Sequence, residues 1–210
     1  ALFHMNKAVE ALQYLDKAIL INPDHDLAWT NKGNILQELR KLNQADECFN
    51  KALALNPLSQ EALVGRGNLR NENKEYQLAL EDFDRALKLN PSNSQAKWNK
   101  AISLLRLGNF IEGWKLYESR WEITGMREHK QYSHIPLWLG KESLKDKTIL
   151  IYAEQGYGDT IQLSRYLTLI EKLGATIIFE VQKSLVDLIK TLSPRIHVVE
   201  KDVWSIHQHF

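Results

Sequence analysis

The segment Asp26–Ser59 reads DLAWTNKGNILQELRKLNQADECFNKALALNPLS, and the residue types at its fixed positions decide the architecture. Trp29, Gly33, Ala45, Phe49, Ala52 and Pro57 stand at positions 4, 8, 20, 24, 27 and 32 of it. The small residues let two antiparallel helices approach closely, while Trp29 and Phe49 fill the space between them. Pro57 closes the second helix, because its ring cannot continue the hydrogen-bond ladder and restricts the residue before it. The unit then recurs: Asn22-Pro23, Asn56-Pro57 and Asn90-Pro91 follow one another at a constant spacing of 34.

The copy Gln60–Asn93 keeps Leu63, Gly67, Ala79, Phe83, Ala86 and Pro91. The copy beginning at Ser94 keeps Ala101, Gly113 and Tyr117 but departs at Lys97, where the large apolar residue has moved to Trp98, and at Arg120, where a small residue is expected. Ala11, Leu15, Ala18 and Pro23 mark the second helix of a truncated copy at the start. Spacing and residue type together resemble the tetratricopeptide repeat, whose period is 34 residues. About three and a half units over residues 1–121 are expected to form an all-α superhelix, the first helix of each pair lining its concave face.

Inner-face positions carry Asn31 and Asn34, then Asn68 and Asn71, then Asn99, with Thr30, Val64 and Trp98 between them. Asparagine is a mediocre helix former, and its amide offers both a donor and an acceptor. A row of amides can bind the backbone of an extended peptide whatever its side chains. The row resembles the asparagine ladder of O-GlcNAc transferase, which implies a protein or peptide partner; the alternative is a set of soluble groove residues that bond locally. Glu38 and Glu72 stand near Arg66, Arg70 and Arg106, so a clamp for acidic C-terminal tails is not expected.

Composition fits this reading. Of 210 residues, 44% are hydrophobic and 25% charged, and the net charge of +1 gives no electrostatic footprint for nucleic acid. No apolar run reaches the length of a membrane span, and the opening ALFHMNKAVEAL lacks the features of a signal peptide. Cytoplasmic residence is the expectation. Cys48, the single cysteine, allows no internal disulfide and is read as core packing beside Phe49. His207 and His209 are too few ligands for a closed zinc site.

Beyond Trp121 the pattern changes. Residues 122–146 lack helical periodicity, contain Pro136 and Gly140, and read as a connector. Residues 147–210 then give a strand at Thr148–Ala153, a Gly-rich turn at Glu154–Asp159, a helix from Thr160 to Leu173 closed by Gly174, a strand at Ala175–Val181, a helix at Ser184–Leu192 and a strand at Arg195–Val199. That alternation predicts a partial α/β, Rossmann-like domain with a parallel sheet, whose ligands bind at the carboxyl ends of the strands. A dinucleotide fingerprint would need a glycine where Ile161 stands, so a nicotinamide cofactor is not expected.

The stretches AEQGYGDTIQLSRYL and LGATIIFEVQKSLVDLIKTL, preceded by Trp114, Trp121 and Pro136-Leu137-Trp138-Leu139-Gly140, resemble the start of a bacterial glycosyltransferase-like domain fused to repeats. Trp114 and Trp121 either plug the last repeat onto that domain, as the resemblance implies, or simply cap the open end of the helical stack. The family is akin to heptosyltransferases and more distantly to O-GlcNAc transferase, and has the GT-B fold of two Rossmann-like halves. The resemblance implies Asp159 as a general base in inverting transfer, with Gln155, Gly156, Gly158, Gln162 and Arg165 lining the same cleft, and a nucleotide sugar as donor in an intact relative. Asp159 with Gln162 equally reads as an N-cap and capping box, and Arg165 as a solvated helix residue. The expectation is a peptide-binding module attached to an incomplete, inactive transferase domain. The alternatives are a fragment of an intact transferase acting on proteins or glycans recruited by the repeats, or a half domain completed by a separate chain.

Overall fold

The computed structural model describes residues 2–123, 132, 134–154 and 156–201, with side chains from residue 7 onward. Gln155, His207 and His209 lie outside the described residues, as does part of the connector. The chain divides into two compact units, Ala1–Glu128 and His129–Phe210.

Among the described residues of the first unit there are seven α-helices, as the period predicts: α1 (Leu2–Ile21), α2 (Asp26–Glu38), α3 (Leu42–Leu55), α4 (Gln60–Glu72), α5 (Tyr76–Leu89), α6 (Ser94–Arg106) and α7 (Phe110–Tyr117). A 3-10 turn, Glu118–Glu122, follows. The period is written into the helix ends. His25, Ser59 and Asn93 each accept a hydrogen bond from the backbone N–H three residues on, capping α2, α4 and α6. Asn22, Asn56 and Asn90 accept from the N–H two residues on, so the asparagine before each proline makes the turn between repeats. Arg40, Lys74 and Gly108 all take positive φ just past those helices. In each case the next N–H reaches back to the carbonyl five residues earlier, the bonding of a Schellman cap.

Packing explains the small residues. Ala45, Ala52, Ala62, Ala79, Ala86, Ala96 and Ala101 are fully buried, as are the rings of Phe49 and Phe83. A methyl group on Gly33 would sit 2.8 Å from Cε1 of Phe49, and one on Gly67 2.6 Å from Cε1 of Phe83. The third pair departs where the sequence does. Helix α7 is only 8 residues long against 14 for α3 and α5. Arg120 stacks its guanidinium 4.7 Å from the Tyr117 ring and 4.3 Å from that of Trp121.

Ion pairs between the helices also follow the period. Lys32 binds Asp16 at 2.6 Å and Lys100 binds Asp84 at 2.7 Å, each reaching the second helix of the preceding pair. At the corresponding place between them, Arg66 donates to Asn50 and, through two nitrogens, to Asp82. Arg70 also binds Asp82, at 2.6 Å, and this carboxylate is 1% exposed.

In the second unit β1 (Thr148–Tyr152), β2 (Thr176–Val181) and β3 (Ile196–Glu200) form a parallel sheet in that order. Ile177, Phe179 and Val181 alternate onto one face, where Leu167, Leu185, Ile189 and Ile196 complete the core. The helix expected from Thr160 to Leu173 is instead two: α8 (Tyr157–Ser164) and α9 (Leu167–Glu171). Side chains cause the break. Ser164 Oγ donates to the carbonyl of Ile161, Arg165 Nε to that of Gln162 and Thr168 Oγ1 to that of Arg165. Those bonds compete with the helical ladder and favour a tightened turn, seen in the bond from Tyr166 N–H to Leu163. Gly174 takes φ +85 after α9. The second expected helix divides into a 3-10 turn, Lys183–Leu185, and α10 (Val186–Lys190). No helix among the described residues is long and apolar enough to cross a membrane.

Candidate functional site

A helix carries residues at i, i+4, i+7 and i+11 along one stripe. On α2 that stripe is Leu27, Asn31, Asn34 and Glu38; on α4 it is Glu61, Gly65, Asn68 and Glu72; on α6 it is Gln95, Asn99, Ile102 and Arg106. The three stripes are offset by one repeat. They form the face of the first helices, and the five predicted asparagines stand on or beside it.

Those five do not behave alike. Asn99 is buried, its Nδ2 donating to Asn68 Oδ1 at 2.6 Å and its Oδ1 accepting from Gln95 Nε2 at 2.9 Å. Asn71 Nδ2 reaches the Asn99 carbonyl at 3.4 Å, while Asn71 Oδ1 accepts from Ser103 Oγ at 2.7 Å. So Asn68, Asn71 and Asn99 tie α4 to α6. Asn31 and Asn34 are exposed, and neither amide has a hydrogen-bond partner among the described residues. The reason lies one repeat away. Asn68 finds Asn99 at the facing position; the residue facing Asn34 is Gly65, whose missing methyl would lie 3.0 Å from Asn34 Oδ1.

Neighbouring positions differ from the sequence reading. Thr30 is fully buried with its hydroxyl donating to the Asp26 carbonyl, so it offers nothing to a ligand. Trp98 is half-buried, and its indole Nε1 is enclosed without a hydrogen-bond partner among the described residues. Arg66 and Arg70, expected near the groove carboxylates, are instead held by the buried Asp82 of α5. Glu72 is held across the repeats by Gln37 Nε2 at 3.0 Å and Arg40 Nη1 at 2.8 Å. Cys48 is buried beside Phe49, and that burial pushes its thiol pKa up, as suits a packing role.

At the carboxyl end of β1 the turn begins with Gly156 at φ 58, which serves as the N-cap of α8 with no side-chain cap bond. Asp159 is therefore not the N-cap, and the expected capping box with Gln162 is not formed. The helix starts three residues earlier because Gly156 adopts the left-handed conformation there, leaving Asp159 inside the first turn, where its charge suits the helix dipole. Gly158, Asp159, Gln162 and Arg165 are all exposed, and no atom of the described residues lies within 4 Å of a methyl group built on Gly158. One residue was missed from sequence. Glu180, on β2, is 1% exposed and accepts a hydrogen bond from the Tyr132 hydroxyl. It sits in an apolar strand pattern that gave no reason to single it out.

Residues 30–93 and 72–112 match the family model described as tetratricopeptide repeat. Within residues 30–112 the helices match tetratricopeptide repeats. Over 112 residues the chain is 30% identical to protein FlbA of Caulobacter vibrioides, a match covering 47% of this chain and 17% of that protein. The chain thus spans less than a fifth of that relative's length. Among solved structures, the MamA RS-1 ArsTM double mutant is similar with a TM-score of 0.51 at 19% identity, over 57% of this chain and 67% of that one. This likeness is one of fold. The first TPR of Spaghetti (RPAP3), bound to the HSP90 peptide SRMEEVD, has a TM-score of 0.48 at 27% identity, over 50% of this chain and 84% of that one.

Proposed function

We propose that this chain is a protein-interaction module that binds an extended peptide along the first helices of its repeats. The observation that carries the reading is the pair of open amides: Asn31 and Asn34 are exposed and without hydrogen-bond partners among the described residues, while Asn68, Asn71 and Asn99 are engaged in a network with Gln95 and Ser103. Each open amide can give and take a main-chain hydrogen bond from a strand-like ligand. Asn68, Asn71 and Asn99 hold the neighbouring helices in register, and Trp98 supplies an apolar wall. Selection from a displayed random-peptide library on the whole chain, compared with Asn31→Ala/Asn34→Ala, tests this. Loss of one net hydrogen bond of about 0.5–1.5 kcal/mol at each amide weakens binding roughly two- to twelvefold per amide. Equal enrichment on both proteins would remove the reading.

A second reading concerns the other unit. The strand order β1-β2-β3, all parallel, is the order in half of a doubly wound sheet, with a glycine turn at the carboxyl end of β1. This favours the start of a glycosyltransferase-type domain, in which exposed Asp159 would take the acceptor proton and Gly156, Gly158, Gln162 and Arg165, with Gln155, would border the cleft. Calorimetric titration with UDP-, GDP- and ADP-sugars tests it. Binding that falls on Asp159→Asn supports a functional cleft; binding indifferent to that change does not.

A further inference from the structure

Resting on the peptide-binding reading, we infer that the partner of the repeat face is an extended segment rich in basic residues, not one with an acidic tail. The charges along the three stripes are unbalanced. Glu38, Glu61 and Glu72 are exposed on α2 and α4, and Arg106, at the end of α6, is the single cation on the stripes. The cations of α2 and α4, and Lys100 of α6, are occupied. Lys32 is bound to Asp16, Lys100 to Asp84, and Arg66 and Arg70 to the buried Asp82. Arg40 lies just past α2 and is engaged with Glu72. An acidic peptide laid beside Asn31 and Asn34 therefore meets Glu38 and Glu61 with no unengaged cation of α2 or α4 to receive it.

A basic segment meets the opposite situation. Its backbone reaches the two open amides, while its Lys or Arg side chains reach Glu38, one turn beyond Asn34 on α2, and Glu61, one turn before Gly65 on α4. Both carboxylates are solvent-exposed, so each contributes modestly to affinity and more to partner choice and encounter rate. Glu72 adds less, because Arg40 and Gln37 already hold it.

The test uses the whole chain against the displayed random-peptide library, then fluorescence anisotropy with the enriched peptides. The expected result is enrichment of Lys and Arg and depletion of Asp and Glu. Glu38→Gln/Glu61→Gln should weaken the enriched peptides by about two- to fivefold per carboxylate and flatten the dependence on salt. Asn31→Ala/Asn34→Ala should weaken basic and neutral peptides alike. Enrichment of acidic peptides through Asn31 and Asn34 overturns this inference and leaves peptide binding standing. Failure of any peptide to depend on those asparagines overturns both.

Discussion

Asp82 offers the sharpest test of how the repeats are held together. Its carboxylate is 1% exposed and takes three charged hydrogen bonds: from Arg66 Nε at 2.9 Å, Arg66 Nη2 at 2.7 Å and Arg70 Nη1 at 2.6 Å. Asp82→Ala removes the acceptor and leaves two guanidiniums whose side chains are only 13% and 19% exposed. Truncating one partner of a buried pair costs about 3–5 kcal/mol. Arg66 keeps its bond to Asn50, and both arginines can lengthen toward water, so the lower end, about 3 kcal/mol, is expected. The first full repeat fills the same two positions differently. Thirty-four residues before Arg70 and Asp82 stand Leu36 and Cys48, both buried in an apolar cluster. Transplanting that solution as Arg70→Leu/Asp82→Cys should recover most of the loss, because hydrophobic replacement of a buried ion pair is often neutral or better. Urea denaturation followed by helical circular dichroism reads all three proteins. A single mutant losing less than about 1 kcal/mol, or a double mutant no more stable than the single, would show that the network does not hold these helices as argued.

Three further outcomes follow from the same framework. Lys74→Gly should stabilise the chain by about 0.5–1 kcal/mol in denaturant melts, since Lys74 holds φ 64 at a helix end where the third repeat already has Gly108; a loss of stability would mean its side chain contributes more than the strain costs. Ala45→Leu should cost roughly 1–3 kcal/mol, because Ala45 is fully buried between helices and each interface is shared with a neighbouring unit; an unchanged thermal midpoint would place it outside a helix contact. Cys48 has a thiol pKa raised by burial, so the folded state holds that proton more tightly than the unfolded chain. Its contribution to stability is complete below the unfolded thiol pKa and declines as pH rises through the folded one. The pH dependence of stability in the alkaline range should therefore flatten in Cys48→Ala, and the native thiol should react with a thiol reagent only on unfolding.

The repeat was legible because each of its residues acts on a near neighbour at fixed spacing. Gly33, Ala45 and Phe49 report a helix–helix contact wherever they recur together, and the second copy obeys the same rule with Gly67, Ala79 and Phe83. The α/β segment was legible in its strands, whose β-branched runs mark burial, and less so in its helices. Thr160–Leu173 has good helical periodicity, but Ser164, Arg165 and Thr168 each return a side chain to a nearby carbonyl and break it. Such local competition depends on rotamers that periodicity does not record. The start of α8 was misplaced for a related reason. Aspartate followed by glutamine three residues on is a cap signal only when the preceding backbone is not already helical, and Gly156 moved the start forward.

The asparagines show where reading by residue type stops. All of those on the first helices have the same amide and the same helical setting, yet they divide by what faces them across the repeat boundary. Asn68 faces Asn99 and closes on it at 2.6 Å. Asn34 occupies the same repeat position as Asn68 and faces Gly65, which has no side chain to answer it. Asn31 occupies the same repeat position as Asn99, two repeats earlier, on α2, and the equivalent residue between them is Gly65. Meanwhile Asn22, Asn56 and Asn90, which looked like mere companions of proline, use their amides to form the turns between units. An amide that is already answered stabilises the array, and one that is not is available to a ligand. The proposed binding face is therefore defined by pairs of positions in successive repeats, and the pair containing a glycine is the one left open.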